Sequence, residues 1–204
     1  MEGGEGGGGG GAGGGGDVGG RGPAAGAGVA AAVILDPERI PDGINDSKVL
    51  DEDDREVLYG RIRSTSIIGV GIADVDRIDR DNILGATMWA MAQAIAQLPV
   101  TPKLAVIDGN RAPTLNCPSR TIVKGDARCL SIAAASIIAK VTRDRLMIKL
   151  ARDMPGYGFE RHKGYGTAEH QAAIKRLGVT VHHRRSFRTV QLALGLMLEK
   201  TPAE

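Results

Sequence analysis

The chain has 204 residues, enough for one domain with or without a tail. Its net charge is only +2, but residues 120–188 hold 15 Lys/Arg against 5 Asp/Glu, which fits a polyanionic partner or simply a solvated basic face. Two cysteines without CxxC spacing argue against a zinc framework or a disulfide scaffold. Since no apolar run approaches the length of a membrane span or a signal-peptide core, we expect a cytoplasmic protein without a membrane segment.

Glycine dominates the start of the chain. Of the 30 glycines, 15 lie in residues 1–22, and residues 3–16 are Gly apart from Glu5 and Ala12. Such a tract has little to bury and loses much entropy on ordering, which predicts a disordered arm over residues 1–16. The amino acids of residues 2–20 and 24–33 are all encoded by codons that begin with G. This pattern fits either a true low-complexity arm or a corrupted start of the gene.

The rest of the chain alternates predicted strands and helices. Short apolar runs predict strands at residues 29–35, 67–72, 104–107 and 121–123. Apolar residues spaced near a 3.6-residue period predict helices at 51–63, 81–98, 131–152 and 168–177. Some strands follow one another without a helix between them, which favours a mixed α/β sheet. In such sheets the side chains at strand ends commonly build the functional site.

Three aspartates stand at the ends of predicted elements. Asp108 follows the strand 104–107, Asp126 precedes the long helix, and Asp17 precedes a Gly-Gly-Arg-Gly-Pro loop. If the three converged, their hard carboxylate oxygens would select Mg²⁺ or Mn²⁺, ions that activate water and hold a phosphoryl group. Each aspartate alone is more typical of a turn former or a helix cap, so both interpretations stay open.

Eight short motifs carry a resemblance to a known family. They are Gly20-Arg21-Gly22-Pro23, Asn45-Asp46-Ser47-Lys48, Ile107-Asp108-Gly109, Lys124-Gly125-Asp126, SIAAAS at 131–136, Ala139-Lys140-Val141, Arg143-Asp144 and HKGYGT at 162–167. On these motifs, in this order, the chain resembles ribonuclease HII of bacterial type from about Asp17 to Phe187. The resemblance implies an RNase H-like fold, with a mixed five-stranded sheet flanked by helices and a small C-terminal helical part. It places the catalytic domain at residues 17–190 and a tail or helix end at 191–204.

The resemblance also implies an activity. The family hydrolyses the RNA strand of RNA/DNA hybrids and cuts 5′ to ribonucleotides embedded in duplex DNA, leaving a 3′-hydroxyl and a 5′-phosphate. It uses Mn²⁺ or Mg²⁺ held by an Asp-Glu pair and two further aspartates. The corresponding positions here are Asp17, position 18, Asp108 and Asp126, with the three aspartates as catalytic residues. A monomer is expected.

Nucleic-acid contacts are implied for a second set of residues. In the family, the loop that corresponds to Gly20, Arg21 and Gly22 reads the ribose 2′-hydroxyl, and its glycines allow close backbone approach. The tyrosine that corresponds to Tyr165 packs against the sugar on the DNA side of the junction. Phosphate contacts are implied for Asn45, Ser47, Lys48, Lys163 and Arg184. Such contacts predict salt-sensitive binding without sequence specificity. His182 and His183 lie in a segment similar to the family's His-Arg-x-Ser-Phe, and either one could be a plain surface residue.

The first motif departs from the family pattern. The family has Asp-Glu-(Ala/Val)-Gly-Arg-Gly, whereas this chain has Asp17-Val18-Gly19-Gly20-Arg21-Gly22. Val18 has no lone pair for a metal, which predicts weaker metal binding and a misplaced attacking water. Glycines also replace the apolar strand expected before Asp17, which predicts a less stable sheet.

Two functions therefore stay open. The chain is either an endoribonuclease on these duplexes or a catalytically impaired member that binds RNA/DNA junctions without cutting. An unrelated nuclease or transposase of the same fold fits the Gly-Arg-Gly and Lys-Gly-Tyr-Gly motifs less well.

Overall fold

The computed structural model describes residues 9–13 and 22–196. In chain order its elements are β1 (Gly9–Gly13), β2 (Gly28–Leu35), α1 (Glu52–Thr65), β3 (Ser66–Ala73), α2 (Val75–Ala96), β4 (Leu104–Asp108), β5 (Ser119–Ile122), a 3-10 turn (Gly125–Ala127), α3 (Leu130–Asp153), α4 (Phe159–His162), α5 (Ala168–Leu177) and α6 (Arg188–Ala193). The five strands form one sheet in the order β3-β2-β1-β4-β5. Strand β1 is antiparallel to β2 and parallel to β4, and β4 is parallel to β5, so the predicted mixed five-stranded sheet is confirmed.

Strand β1 corrects the prediction of a disordered arm for part of residues 1–16. Gly9–Gly13 lies between β2 and β4, with Gly11 opposite both Val33 and Val106. Backbone N–H and C=O groups alone can form a ladder on both sides, so a strand can form here without large side chains. Ordering glycine costs more conformational entropy than ordering other residues, and this cost arises in β1, the central strand of the sheet. The other residues of the predicted arm lie outside the described part of the chain.

The chain divides into two compact units, and the first contains the sheet with Val29–Ile72 and Thr87–Thr142. Its apolar cluster combines Ala31 and Val33 of β2, Leu58 and Ile62 of α1, and the face 133–141 of α3, with Ile68 and Val70 of β3 packed against it. Burial of this apolar surface stabilises the unit. Helix α1 begins after Asp51, whose side chain accepts a hydrogen bond from the backbone N of Asp54.

The opposite face of β3 is built for close approach of a helix. Gly69 and Gly71 alternate with Ile68 and Val70, so they face the other side of the sheet. A Cβ at Gly69 or Gly71 would lie 1.9 Å from a backbone carbonyl oxygen of α2, that of Ala94 or Ala90. Only glycine permits the backbones of β3 and α2 to come this close.

The second unit contains residues 22–28, 73–86 and 143–196. Its core holds Ala25, Met147, Tyr157, Phe159, Ala173 and Ile174. The rings of Tyr157 and Phe159 stack with their centroids 5.2 Å apart. The prediction of one helix at 81–98 needs correction, because α2 starts at Val75 and breaks at Asn82, where φ is 57°. Asn82 Oδ1 caps the continuing helix by accepting hydrogen bonds from the backbone N atoms of Leu84 and Gly85.

None of the helices in the described residues combines the length and the apolar character that a membrane crossing requires. Both cysteines, Cys117 and Cys129, are free thiols and half-buried.

Candidate functional site

Asp108 and Asp126 lie at one end of the sheet in the first unit. Asp108 is the last residue of β4, and its Oδ1 accepts a 2.8 Å hydrogen bond from the backbone N of Gly125. Asp126 lies in the 3-10 turn that follows β5. Because β4 and β5 are parallel neighbours, their carboxyl ends meet at the same sheet edge and bring the two aspartates together.

The Lys124-Gly125 pair shapes the turn that holds Asp126. Lys124 has a left-handed conformation with φ 55°, an uncommon backbone state for a residue with a side chain. A Cβ at Gly125 would lie 2.5 Å from Ile132 Cδ1 and 3.3 Å from Asp108 Oδ1. A larger residue at position 125 would push the Ile132 side chain aside and crowd the Asp108 carboxylate that the Gly125 N–H contacts.

Lys48 pairs with the second carboxylate. Its Nζ donates a 2.8 Å hydrogen bond to Asp126 Oδ2 and lies 3.8 Å from Asp46 Oδ1. The hydrogen bond with Asp126 raises the pKa of the Lys48 ammonium above its usual value. The Asp126 side chain is only 8% exposed, whereas that of Lys48 is 75% exposed. An exposed surface cation thus lies against a nearly buried carboxylate.

Ser47 is buried beneath the surface of the first unit. It is 5% exposed, and its Oγ lies 2.7 Å from the Oγ of Ser136 on α3. Its carbonyl oxygen accepts a 3.0 Å hydrogen bond from Arg55 Nη1. The Ser47 side chain is thus buried and anchors the loop, and its phosphate contact stays a prediction. Asn45 and Lys48 are exposed, and their phosphate contacts stay predictions.

Tyr165 lies on a well-supported surface of the second unit. It forms a β-bridge with Pro23, and the carbonyl oxygen of Gly164 accepts hydrogen bonds from the backbone N atoms of Ala24 (2.8 Å) and Ala25 (3.2 Å). The guanidinium carbon of Arg143 lies 5.7 Å from the centroid of the Tyr165 ring. The ring is supported, yet the residue is 43% exposed, as a contact surface for a sugar requires.

Arg143 belongs to the Arg143-Asp144 motif, for which the sequence predicts no role in the site. Its Nη2 donates hydrogen bonds to the carbonyl oxygens of Lys163 (2.9 Å) and Ala25 (3.3 Å). Burial lowers the pKa of Arg143. Nothing in the sequence singles Arg143 out, because the same helix also contains Lys140 and Arg145 close by.

Arg184 is a buried arginine that binds backbone carbonyl oxygens. It is 2% exposed, its Nε donates to Gly26 O (2.9 Å) and its Nη2 to Ala27 O (3.3 Å). Its guanidinium carbon lies 5.1 Å from the centroid of the Phe187 ring. Burial lowers the pKa of Arg184 to about 9, so the side chain stays charged at neutral pH. The guanidinium is enclosed and bound to the loop that contains Gly26, and the phosphate contact of Arg184 stays a prediction.

The phosphate contact of Lys163 and the 2′-hydroxyl contact of Gly22 stay predictions, although both residues lie in the described part of the chain. Lys163 has φ 48°, and its Nζ donates a 2.6 Å hydrogen bond to Glu160 O. Gly22 is buried. Four further site residues of the sequence analysis, namely Asp17, Val18, Gly20 and Arg21, lie outside the described residues.

The described carboxylates supply part of a metal site. Within residues 22–196, no group of three or more His, Cys, Asp or Glu side chains could hold a metal ion. Asp108 and Asp126 supply two hard oxygen donors, and the Lys48 ammonium beside Asp126 shows that this carboxylate takes a cation. The donor chemistry of the pair fits Mg²⁺ or Mn²⁺, but a full site needs further ligands.

Comparison with known proteins identifies a family for most of the chain. Residues 15–190 match the family described as ribonuclease HII. The ribonuclease HII of Azorhizobium caulinodans is 56% identical over 163 residues, which cover 80% of this chain and 63% of that relative. The chain thus spans less than two thirds of the length of that relative.

Solved structures show the same fold. The ribonuclease H2 of Pyrococcus horikoshii OT3 superposes with a TM-score of 0.73 at 24% identity, covering 92% of this chain and 98% of that one. Bst-RNase HIII in complex with Mn²⁺ gives a TM-score of 0.67 at 20% identity, covering 93% of this chain and 70% of that one. At these identities the likeness establishes the RNase H-like fold, which confirms the predicted fold class.

Proposed function

Because this chain belongs to the ribonuclease HII family, we propose that it is an endoribonuclease acting on duplexes that contain ribonucleotides. It hydrolyses the RNA strand of RNA/DNA hybrids and cuts 5′ to a ribonucleotide embedded in duplex DNA, leaving a 3′-hydroxyl and a 5′-phosphate. The observation that carries this proposal is the pair Asp108 and Asp126 at adjacent strand ends, with Asp108 oriented by the N–H of Gly125. The proposal includes action as a monomer in the cytoplasm.

A divalent cation, Mn²⁺ or Mg²⁺, would supply Lewis acidity and an activated water when bound. Asp108 and Asp126 would hold it, together with Asp17. Gly125 keeps Asp108 oriented, because its N–H occupies one carboxylate oxygen. Lys48 balances the charge of Asp126 and presents its ammonium where a phosphate could be bound.

Recognition in this proposal rests on shape and on the backbone of the nucleic acid. With only three Tyr, two Phe and one Trp, the chain offers little surface for stacking bases. The exposed ring of Tyr165 contacts a sugar at the junction, and Gly20, Arg21 and Gly22 read the 2′-hydroxyl. Asn45, Lys48 and Lys163 contact phosphates, which makes the affinity depend on salt.

Val18 favours a second candidate function. A valine in place of the family's glutamate removes one carboxylate from the metal site, and a small error in positioning can reduce a rate about a hundredfold. The chain would then bind RNA/DNA junctions without cutting them. This candidate uses the same contacts and differs only at the metal.

The deciding experiment compares the purified chain with its Val18→Glu variant. Each is incubated with a DNA duplex that holds one ribonucleotide, in Mg²⁺ and in Mn²⁺, and an all-DNA duplex of the same sequence is the control. We expect the variant to cut on the 5′ side of the ribonucleotide at least tenfold faster than the parent chain, an estimate from the positioning argument. Adding Asp126→Asn to the variant should abolish cutting.

Other outcomes separate the alternatives. Equal cutting by both proteins would mean that position 18 contributes nothing to the metal site. Binding of the duplex by the parent chain without cutting would support the second candidate, whether or not Val18→Glu restores cutting. Absence of both binding and cutting would contradict the proposed function.

A further inference from the structure

Two buried histidines form a hydrogen-bonded row that leads to Tyr165. His183 and His170 are 1% and 0% exposed, and their Nε2 atoms lie 3.2 Å apart. At one end, His183 Nδ1 lies 3.0 Å from the backbone N of Thr180 and 2.9 Å from the Thr180 Oγ1. At the other end, His170 Nδ1 lies 2.9 Å from the carbonyl oxygen of Tyr165. All of these residues belong to the second unit.

The partners at the two ends fix the direction of every hydrogen bond in the row. The backbone N–H of Thr180 is a donor, so His183 Nδ1 accepts and the proton of the neutral ring sits on Nε2. The Tyr165 carbonyl is an acceptor, so His170 carries its proton on Nδ1 and leaves Nε2 as an acceptor. His183 Nε2–H therefore donates to His170 Nε2. The two ends demand complementary tautomers, and the His–His contact satisfies both.

The row works only while both rings are neutral. A second proton on His170 would sit on Nε2 and place two N–H donors against each other at the 3.2 Å contact. A second proton on His183 would sit on Nδ1 and face the backbone N–H of Thr180, which is also a donor. Burial among the rings of Tyr157 and Phe159 disfavours the charged form, and it lowers the pKa of His183 to about 4 and that of His170 below its usual value.

The titratable neighbours act in both directions. His162 stacks on His170 with centroids 4.6 Å apart, and His182 acts on His183, both of which disfavour a further positive charge. Glu169 favours the charged form of His170, but it is paired with Arg161 at the surface. His162 is held separately, since its Nδ1 accepts from Gly164 N at 3.2 Å and its Nε2 donates to Tyr157 O at 2.8 Å.

The proposed function places the exposed Tyr165 ring on the substrate, but it gives no role to the buried side beneath that residue. The Tyr165 carbonyl accepts from two donors, the His170 ring and the backbone N of Thr167 at 2.8 Å. Thr167 in turn caps α5 through a 3.2 Å hydrogen bond from His170 N to its Oγ1. The orientation of the Tyr165 peptide is thus tied to His170 both directly and through the helix cap.

We propose that His170 and His183 are positioning residues for Tyr165: as a neutral, directional pair they hold the Tyr165 backbone so that its ring meets the nucleic acid. This inference rests on the proposed function for the identity of the ligand. The arrangement of the histidines and its effect on the Tyr165 backbone stand apart from that function and can be tested on the protein alone.

The first test uses the full chain without nucleic acid. NMR of the protein labelled with ¹⁵N-histidine should show the Nδ1–H tautomer for His170 and the Nε2–H tautomer for His183, both persisting at pH 6. In His170→Leu the Tyr165 and Thr167 amides should exchange with solvent faster than in the parent. His170→Asn, whose amide nitrogen can replace the Nδ1 donor, should restore slow exchange. The opposite tautomers, or unchanged exchange in His170→Leu, would overturn the proposal.

The second test is a double-mutant cycle on binding, in a chain that carries Asp126→Asn so that no cutting interferes. We expect His170→Leu to weaken binding of a single-ribonucleotide duplex about fivefold, the effect of losing one hydrogen bond. His170→Asn should bind like the parent. If His170 acts through Tyr165, adding His170→Leu to Tyr165→Ala should cause no further loss. Additive losses would contradict the positioning role.

The two tests separate the two claims. Absence of duplex binding by the parent chain would refute the proposed function, while the exchange and tautomer results would still decide on the histidine row. Duplex binding that is insensitive to His170→Leu would refute the positioning role and leave the proposed function intact.

Discussion

Substitution of Gly71 by alanine should strongly destabilise the first unit. In β3 the new Cβ would lie 1.9 Å from Ala90 O, 2.8 Å from Ala90 C and 3.0 Å from Ala94 N. All three are backbone atoms, so no side chain can rotate away. Ordinary contact begins near 3.4 Å, so α2 must retreat from β3 by about 1.5 Å.

The magnitude follows from what this retreat disrupts. Helix α2 buries Ala90, Met91 and Ala94 almost completely, and a shift opens gaps along that whole row. Overpacking costs about 1–3 kcal/mol, and we place Gly71→Ala at about 3 kcal/mol because the obstacle is backbone. For a chain of this size such a loss lowers Tm by about 6–12 °C.

Gly60→Ala is the matched control. Gly60 lies in α1, is exposed, and a Cβ there would meet nothing within 4 Å. Alanine should stabilise this helix by about 0.5–1 kcal/mol. The assay is urea unfolding followed by far-UV circular dichroism, with thermal melts in parallel. A free energy of unfolding for Gly71→Ala within about 0.5 kcal/mol of the parent would refute the close-approach argument, since surface changes alone produce that much.

Three further predictions follow from the site and its supports. Lys48→Met should strengthen Mn²⁺ binding to the free protein, measured by calorimetry, because it removes the ammonium that competes with the metal ion for Asp126. It should also lower the salt slope of duplex binding by about 1. An unchanged Mn²⁺ affinity would show that the ammonium and the metal ion do not compete. Arg184→Gln should reduce the free energy of unfolding, measured in urea, by about 2–3 kcal/mol, because the hydrogen bonds of a buried charge are lost. It should leave the salt slope of duplex binding unchanged. A change of that slope equal to the one in Lys48→Met would instead indicate that Arg184 contacts a phosphate. The contribution of His183 to the free energy of unfolding should fall by roughly 3 kcal/mol as the pH drops from 6.5 to about 4, because the imidazole takes up a proton in the unfolded chain but not in the folded one. His183→Gln should flatten the profile of unfolding free energy against pH in this range. A profile that is the same in both proteins would contradict the lowered pKa of His183.

Local patterns were sufficient to predict most of the sheet and its helices. The runs 29–35 and 67–72 and the helix 168–177 match β2, β3 and α5 to within a residue at each end, because apolar periodicity dominates in them. Helices α4 and α6 were missed, since four and six residues are too few to show a period. The break at Asn82 was missed because its cause is one backbone conformation.

The site was predictable where function depends on residue type and less so where it depends on burial. Asp108 ends β4 and Asp126 follows β5, and the two strands are parallel neighbours, so both aspartates lie at the same edge of the sheet; their joint role at a metal stays a prediction. Ser47 and Arg184 look like phosphate ligands in the sequence, but their partners are Ser136 and backbone carbonyls far along the chain. The sequence also leaves open that His183 is a plain surface residue, whereas the structure buries it against His170 and Thr180.

The uniform composition of β1 has a consequence for folding. A one-residue slip of an ordinary strand turns its apolar side chains to the wrong face, which penalises the wrong alignment. Gly9–Gly13 pairs with β2 and β4 within a longer glycine run, so a slipped alignment presents nearly the same groups to both neighbours. We therefore expect β1 to occur as a mixture of alignments of nearly equal energy, because its glycines offer no large side chain that would select one register.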